Sequence, residues 1–325
     1  MNGVVINGDG VAACCCAHLL KRAGLRVAVK RADRPRLPVI MLSDAAVALM
    51  LGVFEDLSLD HLPRIRKRVV AWGRGSEPVT LDHAASIVSE QELLERLWSG
   101  LALDEEAEPD WTIFSSRPLP PGAVERTFGS RMASVTSVTL KGACDTCWIE
   151  SLENGWLFLI PSGPGKAFLL SVGSARLSDS RIVGEQIHEV GEAAMQFPAY
   201  PRVLSTLCGA GWLACGTAAM AFDPLCGDGT SHAVREAILA AAVIQAAANG
   251  ENPKEVLSHY EARMLAGFGR HLALCSQFYK TGHDTQWWKS ELRSLNEGMA
   301  WCGEQLSNRR SFQYQLNGFE LQPSR

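Results

Sequence analysis

Gly8-Asp9-Gly10-Val11-Ala12-Ala13 is a G-x-G-x-x-A segment. Its first glycine permits a tight turn, and its second lets backbone approach a diphosphate. Ala13 is small enough for a helix to pack closely on a strand. The N–H groups that open such a helix, near Ala12, then face the phosphates. An acid about 20 positions further on would bind ribose hydroxyls. Lys30 and Arg31 stand there instead, and Asp33 is the nearest acid. This inversion suits an extra phosphate, a weakened adenosine site or a solvated strand end. Cys144 and Cys147 form a lone C-x-x-C with no second pair to complete four zinc ligands, and the histidines are scattered, so no metal is expected. Cys14, Cys15 and Cys16 are read as small apolar residues.

The elements around the first segment form a β-α-β unit: a buried strand over 3–8, a helix from Val11 to Ala23 closed by Gly24, and a strand from Leu25 to Val29. Ser43 starts a helix to Gly52. Strands follow at 68–72 and 78–82, and a helix begins at Ser89 with the stripe Leu93, Leu94 and Leu97. Trp111–Phe114 reads as a short strand. From 131 the pattern turns to strands (131–140, 147–152, 155–160, 166–173), then a helix over 180–196. Trp212–Ala214 is a strand before a glycine-rich loop and an Ala-rich helix from about Thr230 to Asn249. Residues 253–325 read as mostly helical with a polar tail.

Composition narrows the classes. The 325 residues are 47% apolar and 20% charged, with a net charge of −4, which is globular and lacks the basic field of a nucleic-acid binder. The basic cluster Arg64, Arg66, Lys67 and Arg68 reads as a solvated strand edge or helix face. The longest apolar stretch, Ile238 to Ala248, is too short for a bilayer. No leader pattern is visible, and a cytoplasmic location is expected.

Residues 211–237, GWLACGTAAMAFDPLCGDGTSHAVREA, resemble the second flavin-binding motif of the FAD-dependent monooxygenases of the aromatic-hydroxylase fold. In that family a D-P-x-x-G-x-G loop, here Asp223, Pro224, Gly227 and Gly229, opens a helix facing the flavin pyrimidine ring. Gly155-Trp156-Leu157-Phe158-Leu159-Ile160-Pro161 is similar to the G-W-x-W-x-I-P strand of the branch with flavin-dependent halogenases, tryptophylquinone-biogenesis-type monooxygenases and geranylgeranyl reductases. Residues 34–52 resemble that branch's loop and helix after the second strand. The order of the pieces agrees over most of the chain. The resemblance implies an α/β fold of the GR2, Rossmann-like type. Residues 1–125 and 200–250 would form a discontinuous FAD-binding domain, 126–199 an inserted, mainly antiparallel substrate sheet, and 251–325 a helical region.

FAD is the implied cofactor. Gly8, Gly10, Ala12, Ala13, Lys30 and Arg31 would serve its adenosine diphosphate end. Thr217, Asp223, Gly227, Asp228, Gly229 and Thr230 would serve its flavin end. Asp223 and Pro224 would shape the reactive face, and backbone N–H groups of Gly227–Gly229 would stabilise negative charge at N1/C2. A bulky side chain at either glycine would take the ring's place. The implied reaction is hydroxylation of an aromatic or indole-like group, free or peptide-borne, through a flavin C4a-hydroperoxide. The electrons would come from NAD(P)H or a partner flavin reductase, and substrate would enter near Trp156 and Phe158. Several positions depart from the family. Thr217 replaces the acid of Gly-Asp, and Phe114-Ser115-Ser116-Arg117 lacks the acid of the third signature. The arginine at the helix near 89–97 is absent. No lysine matches the halogenase lysine, and Arg64 lies nearest. Two further readings follow: a non-catalytic or weakly flavin-binding member, and a flavin-dependent reductase of isoprenoid double bonds.

Overall fold

Val4, Val5 and Ile6 are buried and form β1 (Val4–Asn7), which leads into α1 (Val11–Arg22) and β2 (Val27–Lys30). The computed structural model describes residues 3–31, 34–105, 108–142, 144–307 and 313–324, so Asp33 lies outside the described residues. A Schellman arrangement ends α1: Gly24, at a φ of 78°, donates to Lys21 O at 2.9 Å, and Leu25 N donates to Leu20 O at 3.0 Å. Cys14, Cys15 and Cys16 are fully buried in this helix, where small side chains allow close packing.

The chain continues through β3 (Ile40–Ser43), α2 (Asp44–Val53), β4 (Arg64–Ala71), β5 (Val79–Val88), α3 (Glu90–Trp98) and β6 (Trp111–Phe114). Both expected caps are present: Ser43 Oγ accepts from Ala46 N at 3.2 Å, and Ser89 Oγ from Glu92 N at 3.1 Å. Next come β7 (Glu125–Thr127), β8 (Met132–Leu140), β9 (Thr146–Leu152), β10 (Gly155–Gly163) and β11 (Lys166–Gly173). They precede α4 (Val183–Gln186), β12 (Ile187–Pro198), β13 (Arg202–Leu204), β14 (Cys208–Gly209), β15 (Trp212–Ala214), α5 (Gly216–Ala219) and β16 (Met220–Ala221). The chain closes with α6 (Gly229–Ala248), α7 (Pro253–Lys280), α8 (Gln286–Ser307) and the hairpin β17 (Tyr314–Asn317), β18 (Glu320–Pro323).

Two sheets carry the architecture. The first has the order β14-β15-β6-β1-β2, with β15, β6, β1 and β2 parallel and β14 antiparallel at the edge. The second has eight strands in the order β12-β8-β11-β10-β9-β4-β5-β3. It draws on residues 40–88 as well as 132–198, joined by a parallel seam running from Lys67↔Thr146 to Ala71↔Glu150. One face of this sheet, with Trp156, Phe158, Leu170 and Val172, enters the main core. The other, with Trp148, Leu157, Leu159 and Leu169, is covered around Val183 and Ile187. Burial on both faces explains why β10 reads as a continuous apolar run.

Three expectations are corrected. Residues 180–196 are not a helix: only Val183–Gln186 is helical, and β12 pairs with β8 as an exposed edge strand with irregular register. The apolar residues Ile182, Val183, Ile187 and Val190 have helical spacing, but Gly184 and Gly191 interrupt them. Gly191 also lies so near β8 that a Cβ would stand 2.6 Å from Ser137 Oγ. The C-terminal segment closes with a β-hairpin, whose two-residue turn starts at Gly318 with a φ of 58°, as a II′ turn requires. The basic cluster lies on β4, an interior strand and not an edge, though Arg64, Arg66 and Lys67 are solvated as expected; Arg64 pairs with Asp44 at 2.9 Å and Arg68 meets His83 at 3.0 Å. No helix among the described residues is long and apolar enough to cross a membrane.

Candidate functional site

Topology locates the site. The chain places β2 on one side of β1 and β6 on the other, so the strand order reverses there. Ligands of open α/β sheets lie beyond the carboxyl ends of strands at such a point. Those ends are Gly8 after β1 and Ser115-Ser116 after β6. Gly8 has a φ of 119°, and a Cβ on it would lie 2.3 Å from Ser115 Oγ and 2.5 Å from Ser116 Oγ. Only glycine fits this close approach. Gly8 N donates to Lys30 O at 2.8 Å, which holds the exposed Lys30 beside the turn.

Behind the turn, α1 starts at Gly10 with no side-chain cap, and Val11, Ala12 and Ala13 are buried. Arg34 lies over this start, its Nη2 3.1 Å from where a Cβ on Gly10 would be. Arg34 pairs with Glu90 (Nη1–Oε2 3.1 Å), and Arg36 pairs with Asp9 (Nη1–Oδ1 3.1 Å). The Trp98 indole donates to Asp9 O at 3.0 Å, and Arg31 lies 5.4 Å from the Trp98 ring centre. A glycine turn, an uncapped helix start and an arginine above them match the donor set of a diphosphate. These residues fit the diphosphate of FAD. The β2 end offers cations where a ribose would prefer an acceptor.

The second motif meets the first directly. Gly216 has a φ of 54°, and a Cβ there would lie 2.8 Å from Ala12 Cβ. Gly216 N donates to Glu236 Oε2 at 2.7 Å, and the Thr217 hydroxyl donates to Ser115 O at 3.3 Å. Burial pushes the Glu236 carboxyl up to about 8, against the opposing pull of the Gly216 N–H, so it is mainly protonated at neutral pH. Beyond lies a 3₁₀ turn, Pro224–Cys226, with Asp223 Oδ1 accepting from Leu225 N at 2.9 Å. Gly227 closes it at a φ of 64°, and a Cβ there would lie 2.8 Å from Met41 Cε. The helix α6 then starts at Gly229, also without a side-chain cap, and no atom lies within 4 Å of a Cβ on Gly229. The first N–H groups of α6 thus lack a side-chain cap, and a Cβ on Gly229 would meet open space, a setting that suits a planar electron-rich ring. Asp228 pairs loosely with Arg235 at 3.3 Å, and Thr230 is half-buried.

Asp223 itself turns inward. Its Oδ2 accepts from Arg131 Nε at 2.9 Å and from the Tyr279 hydroxyl at 2.9 Å, and His271 Nε2 accepts from its N–H at 3.0 Å. Arg131 also pairs with Glu291, which accepts from Ser130 N and Oγ at 3.1 Å each. The side chains of Arg131, Asp223 and Glu291 are at most 2% exposed. This acid–arginine–acid group ties the loop to β8, α7 and α8, so Asp223 anchors the loop while the half-buried Pro224 lies beside it. Burial pushes the Tyr279 hydroxyl up, with the Asp223 carboxylate adding to it. Trp156, expected beside a substrate, instead donates from its indole to the Tyr279 hydroxyl at 3.1 Å and is fully buried, as is Phe158.

Arg34, Arg36, Arg131, Glu236, Tyr279 and Glu291 escaped the sequence reading. A lone polar or charged residue carries no sign in the sequence of the partners that the fold brings to it.

No protein-family model and no curated protein matches the chain. Solved structures do. The flavin-dependent halogenase CmlS is 16% identical, with a TM-score of 0.78 over 95% of this chain and 73% of its own. The peptidyl tryptophan dihydroxylase QhpG, essential for tryptophylquinone cofactor biogenesis, is 18% identical, with a TM-score of 0.76 over 89% and 78%. The 2,6-dihydroxypyridine-3-hydroxylase of Arthrobacter nicotinovorans is 12% identical, with a TM-score of 0.65 over 86% and 92%. The chain has the fold of flavin-dependent halogenases and hydroxylases.

Proposed function

We propose that this protein is an FAD-dependent monooxygenase that hydroxylates an aromatic or indole-like group, small or peptide-borne. One observation carries the reading: a glycine turn opens the uncapped helix α1 at the switch point of the parallel sheet, and the segment that leads to the second glycine turn and the uncapped α6 packs on it through Gly216 and Ala12. Gly8, Gly10 and the first turn of α1, with Arg34, would hold the diphosphate. Gly227, Asp228, Gly229 and Thr230 would face the ring end, and Lys30 would stand at the adenosine end. When bound, FAD supplies the activation of dioxygen for oxygen insertion.

The chain's own residues orient and insulate. The N–H groups at the α6 start favour negative charge on the ring's pyrimidine side. The Asp223–Arg131–Glu291 group fixes the loop against the sheet, since every member is held by a partner. Electrons would come from NAD(P)H or a partner flavin reductase. The halogenase chemistry of CmlS is not carried over, because no lysine matches in the sequence.

A second reading, a divergent member that binds flavin weakly, is favoured by one feature. Arg34 and Arg36 already have carboxylate partners, and the Thr217 hydroxyl already donates to Ser115. Absorption spectra of purified protein with and without added FAD separate the two. A stable yellow complex supports the first; no complex at millimolar FAD supports the second.

A further inference from the structure

Beneath the turn that leads to Gly227 lie three soft donors that the flavin reading does not use. Cys226 ends the turn Pro224–Cys226. His271 and Cys275 stand one helical turn apart on α7 and so share a face. The donor atoms of all three lie within 4.8 Å of one another, and Cys275 Sγ is 3.3 Å from His271 Nε2. His271 and Cys275 are buried, while Cys226 is half-buried and leaves one side open.

We propose that Cys226, His271 and Cys275 form a zinc site with its fourth position open to water or an exogenous ligand. The donor chemistry selects the ion: two sulfurs and an imidazole suit a thiophilic cation and not Mg²⁺ or Ca²⁺, which take oxygen. Tetrahedral zinc places such donors about 3.5–3.8 Å apart. The cluster therefore closes on the ion by small side-chain movements. Three protein ligands plus an open position is the arrangement of exchangeable and catalytic zinc.

The charge balance suits the surroundings. Each thiol gives its proton to solvent, so two protons leave for each zinc bound, and the two thiolates neutralise the ion. Nothing is oxidised or reduced. A neutral assembly is the form a buried position tolerates. His271 brings its imidazole from the buried face of α7. Its Nε2 lone pair now accepts from Asp223 N at 3.0 Å. Zinc takes over that lone pair, so loading releases the Asp223 N–H and shifts the turn ahead of Gly227. The site thus clamps the second glycine loop to α7 and couples metal content to the loop's position.

His232 lies near, its ring centre 5.6 Å from that of His271, but it is stacked on Phe222 at 3.9 Å. That stacking engages the His232 ring, so His232 is not counted among the ligands.

The test uses the full chain, stripped with a chelator, kept reduced and titrated with Co²⁺ and then Zn²⁺. One equivalent of Co²⁺ should give thiolate-to-cobalt charge-transfer absorption with intense tetrahedral bands, and Zn²⁺ should erase both. Proton release into weak buffer should reach two per zinc. Cys226→Ser and Cys275→Ser should each weaken zinc by at least about 100-fold, the upper range for losing even a supporting partner of a ligand. Cys144→Ser, at an exposed cysteine outside the cluster, should change nothing. If Cys275→Ser fails to fold, Cys226→Ser, on a half-buried turn, carries the test alone. Absence of the cobalt spectrum overturns the proposal, as does zinc affinity unaltered by the substitutions. None of these readouts depends on flavin binding.

Discussion

Glu236→Gln is an informative substitution because it removes a proton site and keeps an oxygen for the Gly216 N–H, which now donates at 2.7 Å. Burial moves the carboxyl from 4.5 to about 8 in the folded chain. Between those values the unfolded chain has lost the proton and the folded chain keeps it. The folded state then holds more protons, so stability falls as pH rises through this window. At about 1.4 kcal/mol per pH unit the loss sums to roughly 5 kcal/mol, an upper value because local opening can relieve it. Glutamine titrates nowhere and removes this dependence. Urea unfolding of both proteins from about pH 5 to about pH 9 reads the difference directly. The parent's stability relative to Glu236→Gln should decline steadily up to about pH 8 and then level off. A difference that stays constant over the whole range would mean the carboxyl titrates like an exposed one, and the account of its burial would be wrong.

Three further outcomes are expected. Arg131→Met should destabilise the fold by about 3–5 kcal/mol, because it strands two buried carboxylates, and adding Asp223→Asn with Glu291→Gln should recover part of that in the same denaturant titration. Gly229→Val should leave the circular dichroism spectrum intact yet abolish FAD fluorescence quenching, since its Cβ meets no atom within 4 Å; unaltered FAD binding would remove this loop from the site. Gly227→Val is the poorer probe, because its φ of 64° and the nearby Met41 add strain to the fold itself. Lys30→Glu should tighten FAD by about tenfold or more by supplying a charged acceptor beside the Gly8 turn, and identical titration curves would place the adenosine elsewhere.

The strand–glycine–helix starts were legible because each is written in adjacent residues. Gly8 to Ala13 and Asp223 to Thr230 announce a turn and a helix entrance, and Ser43 and Ser89 announce caps that the structure contains. What the sequence concealed depends on distance along the chain. Arg131 finds Asp223 and Glu291 only after two sheets and two helices have assembled. Cys226 finds His271 and Cys275 only through the docking of α7. The edge strand β12 is hidden for a different reason: its apolar spacing suits a helix, and pairing with β8 overrides it.

The parallel seam between β4 and β9 bears on synthesis. A ribosome delivers β3, β4 and β5 well before β9, so the outer edge of β4 must wait with its amides and carbonyls unpaired. A bare strand edge is a template for another chain. Arg64, Arg66, Lys67 and Arg68 lie along that edge. Four positive charges in five residues repel a second nascent copy in register, the gatekeeping role such residues serve beside exposed strands. The cluster therefore matters most during the interval before β9 arrives, and its neutralisation should lower the yield of soluble chain more than the stability of the finished molecule.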